Sequence, residues 1–168
     1  MSRADVVATA RAMAAEGLVD GSEGNVSVRE GDDVHITPAL LPYGEMEVGD
    51  LVTLDLSGRV VGGEREPSSE RAVHLAIYAA RPDVRAIVHT HSPAATQLGF
   101  TGRGLGEDVR LAAHADPGTS ELATEVVAAL EDRRGALMAR HGAVAVGGSL
   151  EEALAVARDV EVRAERAV

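Results

Sequence analysis

The sequence predicts an α/β protein in which helices cover a mixed, largely antiparallel sheet. Three observations lead to this prediction. The chain has 168 residues, of which 45% are apolar and 26% charged, as expected for one globular domain with a full hydrophobic core. Short β-branched segments are separated by turn signals, and the segment after Ala4 is Ala-rich with apolar residues at helical spacing. We therefore expect one domain over residues 1–168.

The first half of the chain predicts a helix, antiparallel strands and a second helix. The first helix is expected over 4–16, with Gly17 as its C-cap. Strands are predicted by β-branched, partly alternating residues in three segments: 25–29, 34–37 and 51–56. Ser68 or Ser69 is then expected to cap a helix that runs through Ala79, and Pro82 helps to end it.

The second half is also predicted to alternate strands and helices. A strand is expected over 84–89, and a helix over 120–131 begins at a cap formed by Thr119 or Ser120. Two further strands follow at 136–140 and 143–146, and a last helix starts at Ser149. No internal repeat or low-complexity linker divides the chain.

Composition and charge exclude several classes of function. The net charge is −11 and the chain has no lysine, which argues against binding of nucleic acid phosphates. No cysteine is present, so neither a disulfide framework nor a thiolate metal site is expected. The sequence has no apolar run of about 18 residues and no signal-peptide region at Met1. These features predict a cytoplasmic protein that neither spans nor binds a membrane.

His89-Thr-His91 ends the apolar run 86–88, and residues two apart on a strand point to the same face. Both imidazoles are therefore available to one divalent metal ion. Glu70 and His141 are further candidates, because three neutral imidazoles and one carboxylate suit zinc or another first-row ion. Each residue also has a purely structural interpretation. The histidine pair could lie on the surface, His141 could bond a backbone carbonyl at a strand end, and the helix dipole favours Glu70.

Other polar residues are candidates for supporting roles. His74 lies four residues after Glu70, so it is either a partner that orients Glu70 or a simple helical neighbour. Gly24 and Asn25 lie in a turn, 20–27, whose backbone N–H groups can hold an anion or merely connect two elements.

Ser68 and Ser69 at a helix start favour an anion, although capping alone would explain one of them. His35 and His114 have no comparable surroundings and are predicted not to be ligands.

Taken together, these residues resemble the class II aldolase/adducin family. The matching segments occur in the family order over nearly the whole chain: 24–29, 36–38, 67–70 with His74, 87–91, 140–142 and the helix start near 150. The resemblance implies a three-layer α/β/α fold with a central mixed, mostly antiparallel sheet, assembled as a homotetramer. It also implies a small-molecule substrate and a divalent ion, expected to be Zn²⁺, with Mn²⁺, Co²⁺ or Fe²⁺ as alternatives.

The resemblance also assigns roles to individual residues. It implies that His89, His91 and His141 bind the metal, with Glu70 as fourth ligand, as catalytic acid/base or as both. By motif position, four residues fall in the pocket that holds substrate phosphate in family aldolases: Gly24, Asn25, Ser68 and Ser69. The implied activity is that of a lyase that makes or breaks a C–C bond through a metal-stabilised enediolate. Such a mechanism needs no Schiff-base lysine.

Departures from the family pattern bear on the substrate. Ala39-Leu40 replaces a hydroxyl residue and glycine that help to bind phosphate, and Glu23 places a carboxylate where a small residue is usual. Both favour a substrate without phosphate. The segment 92–117 lacks the tyrosine that protonates the departing aldehyde in family enzymes, with His114 as the nearest substitute, and the chain ends at Val168 without the longer members' tail.

Two alternatives to an aldolase remain. The same metal and Glu70 could serve a dehydratase, decarboxylase or epimerase, since these reactions also pass through an enediolate or enolate. The chain could instead be an adducin-like, non-catalytic oligomeric module; retention of four potential ligands argues against that hypothesis.

Overall fold

A computed structural model describes all residues, 1–168, and contains one sheet of eight strands. The strands are β1 (Asn25–Glu30), β2 (Asp33–Ile36), β3 (Val52–Asp55), β4 (Val60–Gly62), β5 (Ala86–Thr90), β6 (Val109–Ala112), β7 (Gly135–Met138) and β8 (Gly142–Gly147). Their order is β4-β3-β2-β1-β5-β8-β7-β6. Only β6 and β7 are parallel, and all other neighbours are antiparallel. The predicted mixed, mostly antiparallel sheet is confirmed.

Helices cover both faces of this sheet. They are α1 (Arg3–Ala15), α2 (Arg71–Ala80), α3 (Pro93–Phe100), α4 (Ser120–Leu130) and α5 (Leu150–Glu165). On one face, α2 and α4 share a core of 20 buried residues with the sheet. On the other face, α1 and α5 enclose 18 buried residues, and α3 packs beside α5. The result is the expected three-layer α/β/α arrangement.

The start of α2 differs from the prediction. Neither Ser68 nor Ser69 is its N-cap; Glu70 occupies that position and makes no side-chain capping bond. The Ser68 hydroxyl instead accepts a hydrogen bond from the Glu70 backbone N–H at 3.3 Å. An isolated bridge between Pro38 and Pro67 keeps the preceding residues extended, so the helix begins one residue after Glu70.

Four regular elements are absent from the predictions: β4, α3, β6 and a short 3-10 helix at Val48–Asp50. Helix α3 depends on a remote residue, because the Glu161 carboxylate on α5 accepts the N–H groups of Ala94 at 2.8 Å and Ala95 at 2.9 Å. Local sequence cannot reveal such a cap. None of the helices combines the length and hydropathy that a membrane span requires.

Candidate metal centre

Four side chains converge where β5 ends beside the start of α2 and the β7–β8 turn. They are Glu70, His89, His91 and His141, and one potential ligand atom from each lies within 4.8 Å of the others. His91 Nε2 lies 2.9 Å from His89 Nε2 and 3.1 Å from His141 Nε2. The Glu70 carboxylate spans the other two imidazoles, with contacts of 2.8 Å to His89 and 3.1 Å to His141.

Backbone geometry brings these groups together. Antiparallel pairing places His89 opposite Asn25 on one side and opposite Val144 on the other. Gly24 must be glycine, because its φ is +68° and a Cβ would come 2.5 Å from the His89 carbonyl oxygen. Position 142 likewise has no room for a side chain, since a Cβ on Gly142 would lie 2.0 Å from the Thr90 carbonyl oxygen. The close approach of these strands and turns therefore sets the spacing of the histidines.

The donor set fits a divalent ion. The Nδ1–H of His89 donates to the Ala143 carbonyl at 2.9 Å, so Nε2 is the ring nitrogen that faces the cluster and would offer its lone pair to a bound metal. Glu70 Oε1 is buried and faces His141 Nε2 at 3.1 Å, with no other hydrogen-bond partner. A tetrahedral ion with bonds of about 2.0–2.1 Å would separate its ligand atoms by about 3.3 Å, close to the observed contacts. One bound cation would satisfy all four groups.

The electrostatics agree with this interpretation. Burial, together with the His89 and His141 imidazoles, lowers the pKa of His91 to about 3, so the ring is neutral at physiological pH and can bind a metal. Burial opposes ionisation of Glu70, but the facing His89 and His141 side chains outweigh it and hold the pKa of its carboxyl well below its usual range. The carboxylate is therefore available as an anionic ligand.

The predicted auxiliary residue His74 lies deeper than the cluster and does not contact Glu70 directly. Its Nε2 hydrogen-bonds to Asn25 Oδ1, and Asn25 Nδ2 donates to Glu70 Oε2 at 3.1 Å. Burial, followed by the neighbouring His89 imidazole, lowers the pKa of His74 to about 3. Asn25, assigned by resemblance to the phosphate pocket, thus uses both ends of its carboxamide to connect His74 with Glu70.

A cavity of about 430 Å³ opens over the cluster. The predicted anion-site residues Gly24, Asn25, Ser68 and Ser69 all line it, as does His114. Ser68 is buried while Ser69 is exposed.

The cavity lining also includes residues without a predicted role in binding, among them Arg140, its only arginine or lysine. Glu23 does not turn away from the site, since its Oε2 lies 3.6 Å from His91 Nδ1. Leu40 lines the opening with 90% of its surface exposed.

Sequence reasoning missed Ser27 and Tyr78, which continue the buried polar network beyond His74. A signal for both was present. Ser27 follows Asn25 at strand spacing on β1, and Tyr78 follows His74 at the four-residue spacing of a helix face.

Comparisons with known proteins agree with the fold, which together with the site defines an α/β protein with a candidate His₃Glu metal site. The family model described as Class II Aldolase and Adducin N-terminal domain matches residues 4–168. The chain is 40% identical over 175 residues to 5-methylthioribulose-1-phosphate/5-deoxyribulose-1-phosphate aldolase of Rhodospirillum rubrum, covering 98% of this chain and 79% of that protein. It is 36% identical over 171 residues to L-fuculose phosphate aldolase of Escherichia coli K12, covering 95% and 79%.

The solved structure of an L-fuculose 1-phosphate aldolase superposes with a TM-score of 0.92 at 33% identity, covering 98% of this chain and 83% of that one. The chain therefore belongs to the class II aldolase and adducin family. The predictions of the family, of a class II aldolase-like lyase and of a divalent-metal site are confirmed at that level.

Proposed function

We propose that the protein catalyses reversible aldol cleavage of a small hydroxycarbonyl compound at a Zn²⁺ centre held by Glu70, His89, His91 and His141. The convergence of these four ligands at the floor of an open cavity carries the proposal. When bound, the ion supplies positive charge that stabilises the negative charge developing on substrate oxygens as the C–C bond breaks. Three imidazoles and a carboxylate favour zinc, while Mn²⁺, Co²⁺ and Fe²⁺ share this ligand preference.

Glu70 is the proposed catalytic acid/base. Its two oxygens are not equivalent, because Oε2 accepts a hydrogen bond from Asn25, whereas Oε1 faces His141 Nε2 at 3.1 Å within the cluster of candidate ligands. Oε1 is therefore the atom that would face the ion and, once substrate displaces it, would accept and return a proton at the substrate carbon or hydroxyl. His114, an exposed residue at the cavity wall, is the proposed substitute for the proton donor of the departing aldehyde.

The substrate side of the cavity supports two versions of this activity. Glu23, Ala39 and Leu40 in the lining favour a substrate without phosphate, as the sequence predicts. A ketose phosphate is the second candidate, because Ser68, Ser69 and Arg140 can donate hydrogen bonds to an anion and the named relatives are phosphate-sugar aldolases. A dehydratase, decarboxylase or epimerase would use the same centre, and product analysis separates those reactions from aldol cleavage.

The proposal also covers the oligomeric state, the domain organisation and the cellular location. The family resemblance supports a homo-oligomer, expected to be a tetramer, and a single domain over residues 1–168 in the cytoplasm. Light scattering coupled to size exclusion tests the oligomeric state directly.

The first test of the function is metal content and turnover measured on the same sample. Protein purified without chelator should contain about one divalent ion per subunit and should cleave short ketoses to an aldehyde and a hydroxyketone. Removal of the ion by a chelator should abolish turnover, and added Zn²⁺ should restore it. Folded protein that binds no ion would favour the adducin-like, non-catalytic hypothesis.

Glu70→Gln separates binding from chemistry. The variant keeps a side-chain oxygen for the ion but cannot accept the proton, so we expect kcat to fall about 10²–10⁴-fold while metal remains bound. Steady-state kinetics and elemental analysis measure both effects. Unchanged turnover in a metal-loaded Glu70→Gln variant would refute the acid/base role.

A further inference from the structure

Five buried polar side chains form a continuous hydrogen-bonded chain beneath the metal centre. Tyr78 Oη lies 2.8 Å from Ser27 Oγ, which lies 2.6 Å from His74 Nδ1. His74 Nε2 bonds Asn25 Oδ1, and Asn25 Nδ2 lies 3.1 Å from Glu70 Oε2. All of these residues are buried. Buried polar groups carry a large desolvation cost unless each has a partner. This series of hydrogen bonds therefore either only stabilises the fold or also acts on Glu70.

The charge on Glu70 fixes the direction of every bond in this chain. An ionised carboxylate only accepts hydrogen bonds, so Asn25 must present its amide nitrogen to Glu70 and its oxygen to His74. That oxygen needs a donor, which places the proton of His74 on Nε2. The neutral ring then accepts at Nδ1 from the Ser27 hydroxyl, whose oxygen accepts from Tyr78 in turn.

Strand β1 and helix α2 supply the members of this hydrogen-bonded series and bring them into line. Asn25 and Ser27 lie two residues apart on β1 and face the same side of the sheet. His74 and Tyr78 lie four residues apart on α2, and Glu70 precedes His74 by the same interval. The strand and the helix thus interleave their polar groups along one line that ends at the carboxylate.

We propose that His74 is a positioning residue that anchors the Asn25 carboxamide through its oxygen and thereby holds Glu70 with Oε2 bonded to Asn25 and Oε1 facing the cluster. The inference rests on the proposed acid/base role of Glu70. The two ends of an Asn side chain are nearly the same size, so shape alone does not choose between them. Without the Nε2–H of His74, Asn25 Oδ1 would be buried without a donor, and the amide would no longer be anchored with its nitrogen against the carboxylate.

Paired substitutions at His74 test this role. His74→Met fills a similar volume but removes the donor to Asn25, and we expect kcat per bound metal to fall about 10–100-fold with KM changed less than about twofold. His74→Gln keeps an N–H donor near the position of Nε2 and should recover most of that loss. His35→Met is the matched control, because His35 bonds the Thr53 hydroxyl at 3.0 Å on β2, away from the cavity; it should leave kcat unchanged.

A spectroscopic measurement on the metal-loaded wild type tests the orientation without turnover. With ¹⁵N-labelled histidine, the ring shifts of His74 should report a neutral ring protonated at Nε2. The Nδ1-protonated form would overturn the proposal, as would a His74→Met variant that keeps its kcat per bound metal or that loses activity only in proportion to lost metal. Metal-loaded wild type that cleaves no ketose would instead overturn the proposed function, and the ring tautomer would still decide how Asn25 is oriented.

Discussion

The inner and outer walls of the cavity differ in how their side chains are held. The inner wall is formed by Asn25 and Glu70, which line the cavity, together with His74 and His89 behind them. All four are buried, and each side chain has a partner in the protein. The outer wall, defined by Glu23, Leu40, His114 and Arg140, is exposed to solvent. The inner wall is thus suited to fixed metal and proton chemistry, whereas we expect the outer wall to contact the part of the proposed substrate that varies.

Backbone conformation sharpens this comparison. Leu40 and Arg140 on the outer wall have φ values of +58° and +59°, a left-handed conformation that is unfavourable for side chains other than glycine. Asn25 on the inner wall, in contrast, lies within the regular strand β1. These unfavourable backbone conformations lie on the outer wall, and one of them directly precedes the candidate ligand His141.

The largest effect is expected from breaking the metal centre itself. His91→Ala removes a neutral imidazole at 2.9 Å and 3.1 Å from the other two, so we expect loss of stoichiometric metal and of all detectable turnover. Elemental analysis and a cleavage assay measure the outcome. His35→Ala provides the control, since His35 lies outside the cavity. A His91→Ala protein that retains one ion per subunit would show that the remaining ligands suffice.

Only some of the candidate metal ligands could be predicted from local sequence patterns. His89 and His91 were predictable because strand periodicity alone puts them on one face, and their neighbours form an apolar run that defines β5. Glu70 and His141 were found through chemical type and family resemblance. Their convergence depends on the β1–β5–β8 pairing, which no local pattern encodes.

Other features escaped prediction for identifiable physical reasons. The start of α2 was misplaced because two serines are good caps, yet the extended bridge at Pro67 delays the helix until after Glu70. Strand β4 is only three residues long, and its valines are exposed. The position of Glu23 beside His91 depends on how the 20–27 turn folds over the cluster, and glycines permit many such paths.

An intermediate effect is expected at Glu161, which holds the start of α3 behind the cavity residue His91. Both oxygens of buried Glu161 accept N–H groups at the start of α3, directly after the His91 segment. Glu161→Gln replaces one acceptor with a donor, and we expect the free energy of unfolding to fall by about 1.5–3 kcal/mol. Urea denaturation measures this change, and Glu165→Gln at an exposed position of α5 is the control. If kcat per bound metal also falls more than about tenfold, α3 contributes to the chemistry as well as to stability.

The smallest effect is expected on the outer wall, at Glu23. Its side chain is 57% exposed, so solvent screens the repulsion between its carboxylate and a phosphate to about 1 kcal/mol. Wild-type enzyme should therefore resist millimolar inorganic phosphate, as expected for a substrate without phosphate, whereas Glu23→Gln should bind phosphate about fivefold more tightly as a competitive inhibitor. Glu45→Gln, an exposed substitution outside the cavity, should not. Clear competition by phosphate in the wild type would contradict the inference from Glu23, because the anion site formed by Ser68, Ser69 and Arg140 would then outweigh one screened carboxylate.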